Sequence, residues 1–302
     1  MAYGFDISAL PNYTDSLSLD LISKAVLKTD LLDYVDLRSG FSSGVVNINL
    51  VEANLPVTAL SCGWTNTDGN EVIYTQVPVT IESMQSKTEL CVESLRSTYQ
   101  SAFMNPGTGN DFIPFEEVIS QSYSDKLTKY VEGFLINGFA GGATGLKAQI
   151  TSANGANLQG GVPAAWTAAN AVEQALDLYD AVAEEVKDRD DIIMVVAPDA
   201  YRALARGLVA SDLYHYDSVS GNEIIMLPGT NAKVIKSSGL VSSNYKFCGP
   251  GKMILAATGL TDELDNFRFF YDEAADVVKF RAAFRMGVGV GQVNLFATND
   301  MA

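Results

Sequence analysis

The chain of 302 residues has one histidine, His215, set between Tyr214 and Tyr216, and three cysteines, Cys62, Cys91 and Cys248. One imidazole cannot make a two-histidine metal site, and no Ser-His or Cys-His pairing is signalled, so His215 reads as an ordinary surface residue. The cysteines are widely spaced and odd in number, and no Cys-x-x-Cys pair occurs. Neither a zinc site nor a disulfide framework is indicated, and the thiols are expected to stay reduced in a cytosol. Glu173, Asp177, Asp180 and Glu184 recur on one side of an expected helix. Helical carboxylates can hold two iron ions, but that chemistry needs Glu-x-x-His pairs, which are absent. The stripe reads as a solvated face, with a subunit contact to basic residues as the alternative. Gly138, Gly141, Gly142 and Gly145 follow a helix rather than a strand and lack a Gly-Lys-Ser/Thr ending, so they read as a helix stop and a loop. No catalytic, cofactor-binding or metal-ligating residue emerges, no cofactor is implied, and the chain is not expected to be an enzyme.

Lys279, Arg281 and Arg285 supply the basic counterpart. They share one face of a strand, and positions two apart lie roughly 6.8 Å from each other. Pairing of this face with the stripe from Glu173 to Glu184 across a subunit boundary is the sharper reading of both. An exposed strand face explains the cations as well.

The elements that would carry these residues centre on Val172 to Leu208. Val172, Leu176, Tyr179, Val182 and Val186 step by three or four and predict a helix. Ile192 to Ala197 is apolar without alternation, as in a strand covered on both faces. Pro198 and Asp199 then open a second helix, with Arg202 and Arg206 on its wet side and Gly207 as its stop.

Composition narrows the function classes. Acids number 36 against 20 lysines and arginines, a net charge of −16, and 47% of residues are hydrophobic. Such a surface does not bind phosphate backbones by counterion release or adhere to anionic membranes. No apolar run approaches the ~18 residues of a membrane span, and Met1 to Leu10 lacks a basic segment followed by an apolar one. A soluble protein is expected.

Residues 1–40 read as an arm with helical pieces. From Gly44 to Glu82, two runs of strand formers flank Thr65 to Asn70, a turn signal, and predict a long two-stranded arm. Pro114 to Ile136 predicts a helix with Phe115, Val118, Ile119, Tyr123, Leu127, Tyr130, Val131 and Phe134 on one stripe. Two hairpins are expected around Pro228 to Asn231 and Gly249 to Gly251. Val278, Phe280, Ala282, Phe284, Met286, Val288 and Val290 alternate, so one face of the last strand is buried.

Taken in order, these pieces resemble the major capsid proteins of tailed bacteriophages, whose fold is shared with encapsulins. Gly44 to Glu82 is similar to that family's extended loop, Pro114 to Ile136 to its spine helix, and Asn137 to Leu146 to the loop after the spine. The run IIMVVAPDAYRALARG, Ile192 to Gly207, resembles a strand, proline and helix of the peripheral domain. Phe247 to Pro250 before Met253 to Leu255 resembles a late axial strand, and Val277 to Val290 the strand that returns to the periphery. The resemblance implies an α+β capsid fold with an N-terminal arm (1–43), an extended β-hairpin loop (44–82), a peripheral domain (83–207 and 265–302, with the spine helix at 114–136) and an axial domain (208–264). It implies a structural protein that self-assembles through hexamers and pentamers into an icosahedral phage head around packaged double-stranded DNA, located in the virion and assembled in the host cytoplasm. The alternative is an encapsulin-type compartment shell. Implied partners are further copies of the chain, a separate scaffolding protein (the arm is too short to hold one), a portal and decoration proteins, without sequence-specific DNA binding and without a membrane. Some relatives crosslink through a lysine in the extended loop. Here the nearest lysines on either side of it are Lys28 and Lys87, so that crosslink is not expected.

Overall fold

The computed structural model describes residues 30–41, 44–54, 71–91, 115–139, 141–212, 225–259, 268–272, 275 and 277–301. Runs of period two and period 3.6 become, in chain order, β1 (Asp36–Ser39), β2 (Gly44–Asn54), β3 (Glu71–Cys91), α1 (Phe115–Asn137), α2 (Leu146–Gln149), β4 (Asn157–Leu158), α3 (Ala171–Asp180), β5 (Ile192–Val196), α4 (Pro198–Ala210), β6 (Ile225–Met226), β7 (Lys233–Lys236), β8 (Phe247–Pro250), β9 (Ile254–Thr258), β10 (Arg268–Asp272), β11 (Val277–Val290) and β12 (Ala297–Thr298). His215, Cys62, Lys28, the Thr65–Asn70 turn and the arm before Asp30 lie outside the described residues.

Two mixed sheets result. The first runs β1-β9-β11-β3-β2, with β10 also on β11; the second runs β4-β12-β8-β5-β7-β6. Phe280, Ala282, Phe284, Met286, Val288 and Val290 are all buried in the main core, but the alternation read in β11 holds only to Met286, beyond which Gly287 and Gly289 on the other face are buried too. Across them lies α1, which buries Val131, Phe134, Leu135 and Ile136. Tyr123 stacks on Phe280 with ring centres 4.3 Å apart. The expected stripe fails at Tyr130, which is 50% exposed. The helix's last turn instead buries Leu135 and Ile136 against the turn at Ser238–Leu240.

In the second sheet β5 is buried along its whole length, as its unbroken apolar run requires. It pairs in parallel with β7 and antiparallel with β8. Pro198 sits in the first turn of α4, where its missing N–H is harmless. Gly207 does not end this helix, which continues to Ala210. A Cβ there would come 2.8 Å from the Ala168 carbonyl oxygen, so glycine serves close packing instead. α3 ends at Asp180, a turn and a half earlier than its apolar periodicity suggested, and Glu184–Val186 forms a separate 3-10 turn.

Ile192–Val196 and Val277–Val290 lie in different sheets, so the strands of 83–207 and 265–302 are divided between both. The segment 208–264 is likewise divided, because β6, β7 and β8 belong to the second sheet and β9 to the first. Gly249-Pro250-Gly251 is therefore a passage between sheets rather than a hairpin turn. Gly251 lies where a Cβ would meet the Tyr34 carbonyl oxygen at 2.3 Å, and only a glycine fits that crossing. Within the segment 1–43, β1 pairs in parallel with β9, and Leu31 and Leu32 are buried in the main core. The hairpin at Pro228–Asn231 forms as expected, and β10 pairs antiparallel with β11.

The spine of the molecule meets the second sheet through a polar latch. Asn137 donates to the Gly239 carbonyl at 2.8 Å. Glu132, buried on α1, accepts a hydrogen bond from the Ser238 hydroxyl. Its other oxygen has no donor among the described residues. Ser238→Ala would strip a buried carboxylate of its donor and is expected to cost about 1–3 kcal/mol. Urea unfolding reads this directly, and an unchanged midpoint would show that the carboxylate needs no donor.

Candidate assembly surface

β2 is paired along all of its length with residues 71–81 of β3, from Gly44↔Ile81 to Asn54↔Glu71. At about 3.4 Å per residue this ladder is roughly 37 Å long. The remaining half of β3 pairs with β11, from Met286↔Glu82 to Val277↔Cys91. One strand thus belongs both to the body and to the extended hairpin. Where the hairpin leaves the body, Val79 and Ile81 bury themselves with Leu255 and Ala257, and Phe41 and Val46 close the edge of this second apolar cluster. The strand can cross there because β11 presents glycines. A Cβ on Gly287 would lie 2.5 Å from the Thr80 carbonyl oxygen, and one on Gly289 would lie 2.3 Å from a Val79 methyl.

The outer face of the first sheet holds the basic residues singled out from the sequence, but they are not equivalent. Lys279 pairs with Asp272 at 2.6 Å, which holds the ammonium above its ordinary pKa, and Glu89 opposite adds to this. Arg285 is half-buried opposite Ser83. Arg281 is exposed and stands opposite Lys87, also exposed. The acidic stripe is shorter than expected. Glu173 and Asp180 are exposed and Asp177 is half-buried, while Glu184 lies beyond the helix and is bonded to Lys187 at 2.6 Å. The structure does not bring the stripe and the basic face together within one subunit: α3 packs on α4, β8 and β12.

Between α1 and the first sheet runs a groove of about 400 Å³, floored by Met84, Phe280 and Phe284 and rimmed by Tyr123, Lys126 and Tyr130. No cluster of three histidine, cysteine or acidic side chains suited to a metal ion occurs among the described residues. No described helix is long and apolar enough to cross a membrane. Sequence reading missed Lys246. It is only 1% exposed, its ammonium lies 5.1 Å from the Trp166 ring centre and donates to the Asn244 carbonyl at 2.7 Å, and burial pushes its pKa down to about 8. No signal in the sequence separates this lysine from a surface one.

No family model matches the sequence, and no curated protein matches it. Solved structures do. The capsid of the native GTA particle superposes with a TM-score of 0.58 at 16% identity, over 91% of this chain and 89% of that one. A chain of Gordonia phage Cozz gives 0.56 at 12% identity, over 89% and 85%. The SrpI encapsulin of Synechococcus elongatus gives 0.53 at 12% identity, over 89% and 85%. At such identities the likeness speaks for the fold, and that fold, over nearly the whole chain, is the one shared by tailed-phage major capsid proteins and encapsulins.

Proposed function

We propose that this chain is the structural shell subunit of a tailed phage, assembling with copies of itself through hexamers and pentamers into an icosahedral head around packaged double-stranded DNA. The observation that carries this reading is the superposition on a capsid chain over 91% of the residues. The role is structural and calls on no catalytic group. The net charge of −16 suits a wall that encloses DNA without gripping it. In this reading the first sheet with α1 is the peripheral domain and the second sheet is the axial domain. A separate scaffold, a portal and decoration proteins are the further partners, the head is assembled in the host cytoplasm, and the protein resides in the virion.

An encapsulin-type compartment is the second reading, favoured by the superposition on the Synechococcus shell. Electron microscopy of the purified protein tests both readings, since closed shells are expected and their absence under all assembly conditions would reject them. Terminase and portal genes beside this one would decide for the phage head.

The hairpin's role follows from its length. A two-stranded ladder with little core of its own is marginal unless it lies on something, and here that surface is a neighbouring subunit. Deleting Thr65–Asn70 is therefore expected to leave a folded, soluble subunit that no longer forms shells. Size-exclusion chromatography with circular dichroism reads both properties, and an insoluble product would mean that this segment belongs to the subunit's own core.

A further inference from the structure

Two cations stand abreast on the first sheet. In register, Arg281 of β11 stands directly opposite Lys87 of β3. Like charges directly opposite one another destabilise a strand pair. Lys87 and Arg281 are exposed, and among the described residues neither has an ion-pair partner. Lys279, two positions along, shows the contrast, for Asp272 neutralises it at 2.6 Å. No ion pair among the described residues neutralises Arg281.

The opposite field lies elsewhere in the same chain. Residues 171–191 contain eight acids and two bases, which leaves −6 of the total −16 in one short segment. Both bases are already engaged, Lys187 with Glu184 at 2.6 Å and Arg189 with Asp191 at 2.8 Å. Glu173, Asp180, Glu185, Asp188 and Asp190 remain exposed. This segment belongs to the second sheet's side of the molecule, while the cation pair belongs to the first. The two fields cannot neutralise each other inside one subunit, yet every additional copy brings both. A contact between different patches on identical subunits is heterologous, the type that generates rings and larger closed assemblies.

We propose that the pair Lys87–Arg281 receives the acidic segment 173–190 of a second copy of this chain. The inference rests on the shell reading above and adds which surfaces meet. It also revises the sequence-based pairing: Lys279 and Glu184 drop out because each is satisfied internally, and Lys87 enters. Each such exposed pair is weak, but a closed shell repeats it at every subunit boundary.

The test compares wild type, Lys87→Glu with Arg281→Glu, Asp180→Lys with Glu185→Lys, and all four substitutions in one chain, by sedimentation at low and high salt. Each double reversal is expected to lower shell yield roughly tenfold at low salt, with partial recovery at high salt, where repulsion is screened. The fourfold variant is expected to return to within about twofold of wild type, because it restores opposite charges at the same boundary. All variants change exposed residues, and circular dichroism checks that each is folded. Normal assembly of either double reversal, or no recovery in the fourfold variant, overturns the contact. Normal shells from the Lys87 and Arg281 reversal that hold less DNA overturn it in favour of nucleic acid as the occupant. A wild type that never leaves the monomer instead sinks the shell reading itself.

Discussion

Gly287→Val is expected to lower the subunit's stability by about 2–4 kcal/mol, through overpacking and loss of the small cluster beneath the hairpin. The new Cβ would meet a backbone oxygen, that of Thr80, at 2.5 Å, and no rotamer of a neighbour can relieve that contact. β3 would have to lift from β11, and Val79, Ile81, Leu255 and Ala257 would lose the packing that buries them. At Gly289 the obstacle is a Val79 methyl, the end of a side chain, so Gly289→Ala should cost less. Thermal melts of both variants give the comparison. Equal, small losses would show that β3 does not depend on the crossing.

The second large effect concerns Lys246. Its folded pKa is about 8, whereas an unfolded lysine titrates near its ordinary value of about 10.4. Between these values the unfolded chain holds the proton and the folded chain does not, so stability rises with pH through that window. Below about pH 8 both states are protonated and the whole penalty of the buried ammonium is present. Above about 10.4 it has gone. A gap of this size corresponds to about 3 kcal/mol at most, at 1.36 kcal/mol per pKa unit. Lys246→Met keeps the stem against Trp166 and removes the charge. The Asn244 carbonyl keeps a donor, the Asn299 amide at 2.7 Å. The variant is expected to be more stable than wild type by about 1–3 kcal/mol at pH 7, with the advantage fading toward pH 10.5. Urea unfolding of the pair at several pH values measures this, and a gap independent of pH would assign the effect to packing.

The elements were legible because periodicity is a local property. The 23 residues of α1, the full burial of β5 and the one-sided burial of β11 from Phe280 to Met286 all follow from apolar spacing. Partnership is not local. A period of two states that Phe280 and Phe284 face a core, but not that β11 pairs with β3 and β9 while β5 lies in another sheet. Gly249-Pro250-Gly251 has the composition of a hairpin turn. Only the proximity of Gly251 to Tyr34, some two hundred residues earlier, shows that the chain changes sheets there. Lys87 was invisible for the same reason, since its opposition to Arg281 depends on a register between distant strands. Tyr130 was misplaced because a helical stripe gives direction without the width of the surface it covers.

The continuity of β3 through the hairpin and the body has a mechanical consequence. A pull on the hairpin along the strand is delivered to its ladder with β11, whose paired positions run from Glu82 to Cys91. That load acts in shear, on many hydrogen bonds at once, and not at a single bond as in peeling. A chain held by its hairpin can thus carry tension with the resistance of the whole ladder, and the glycine crossing beneath Thr80 and Val79 is the fulcrum over which that tension turns.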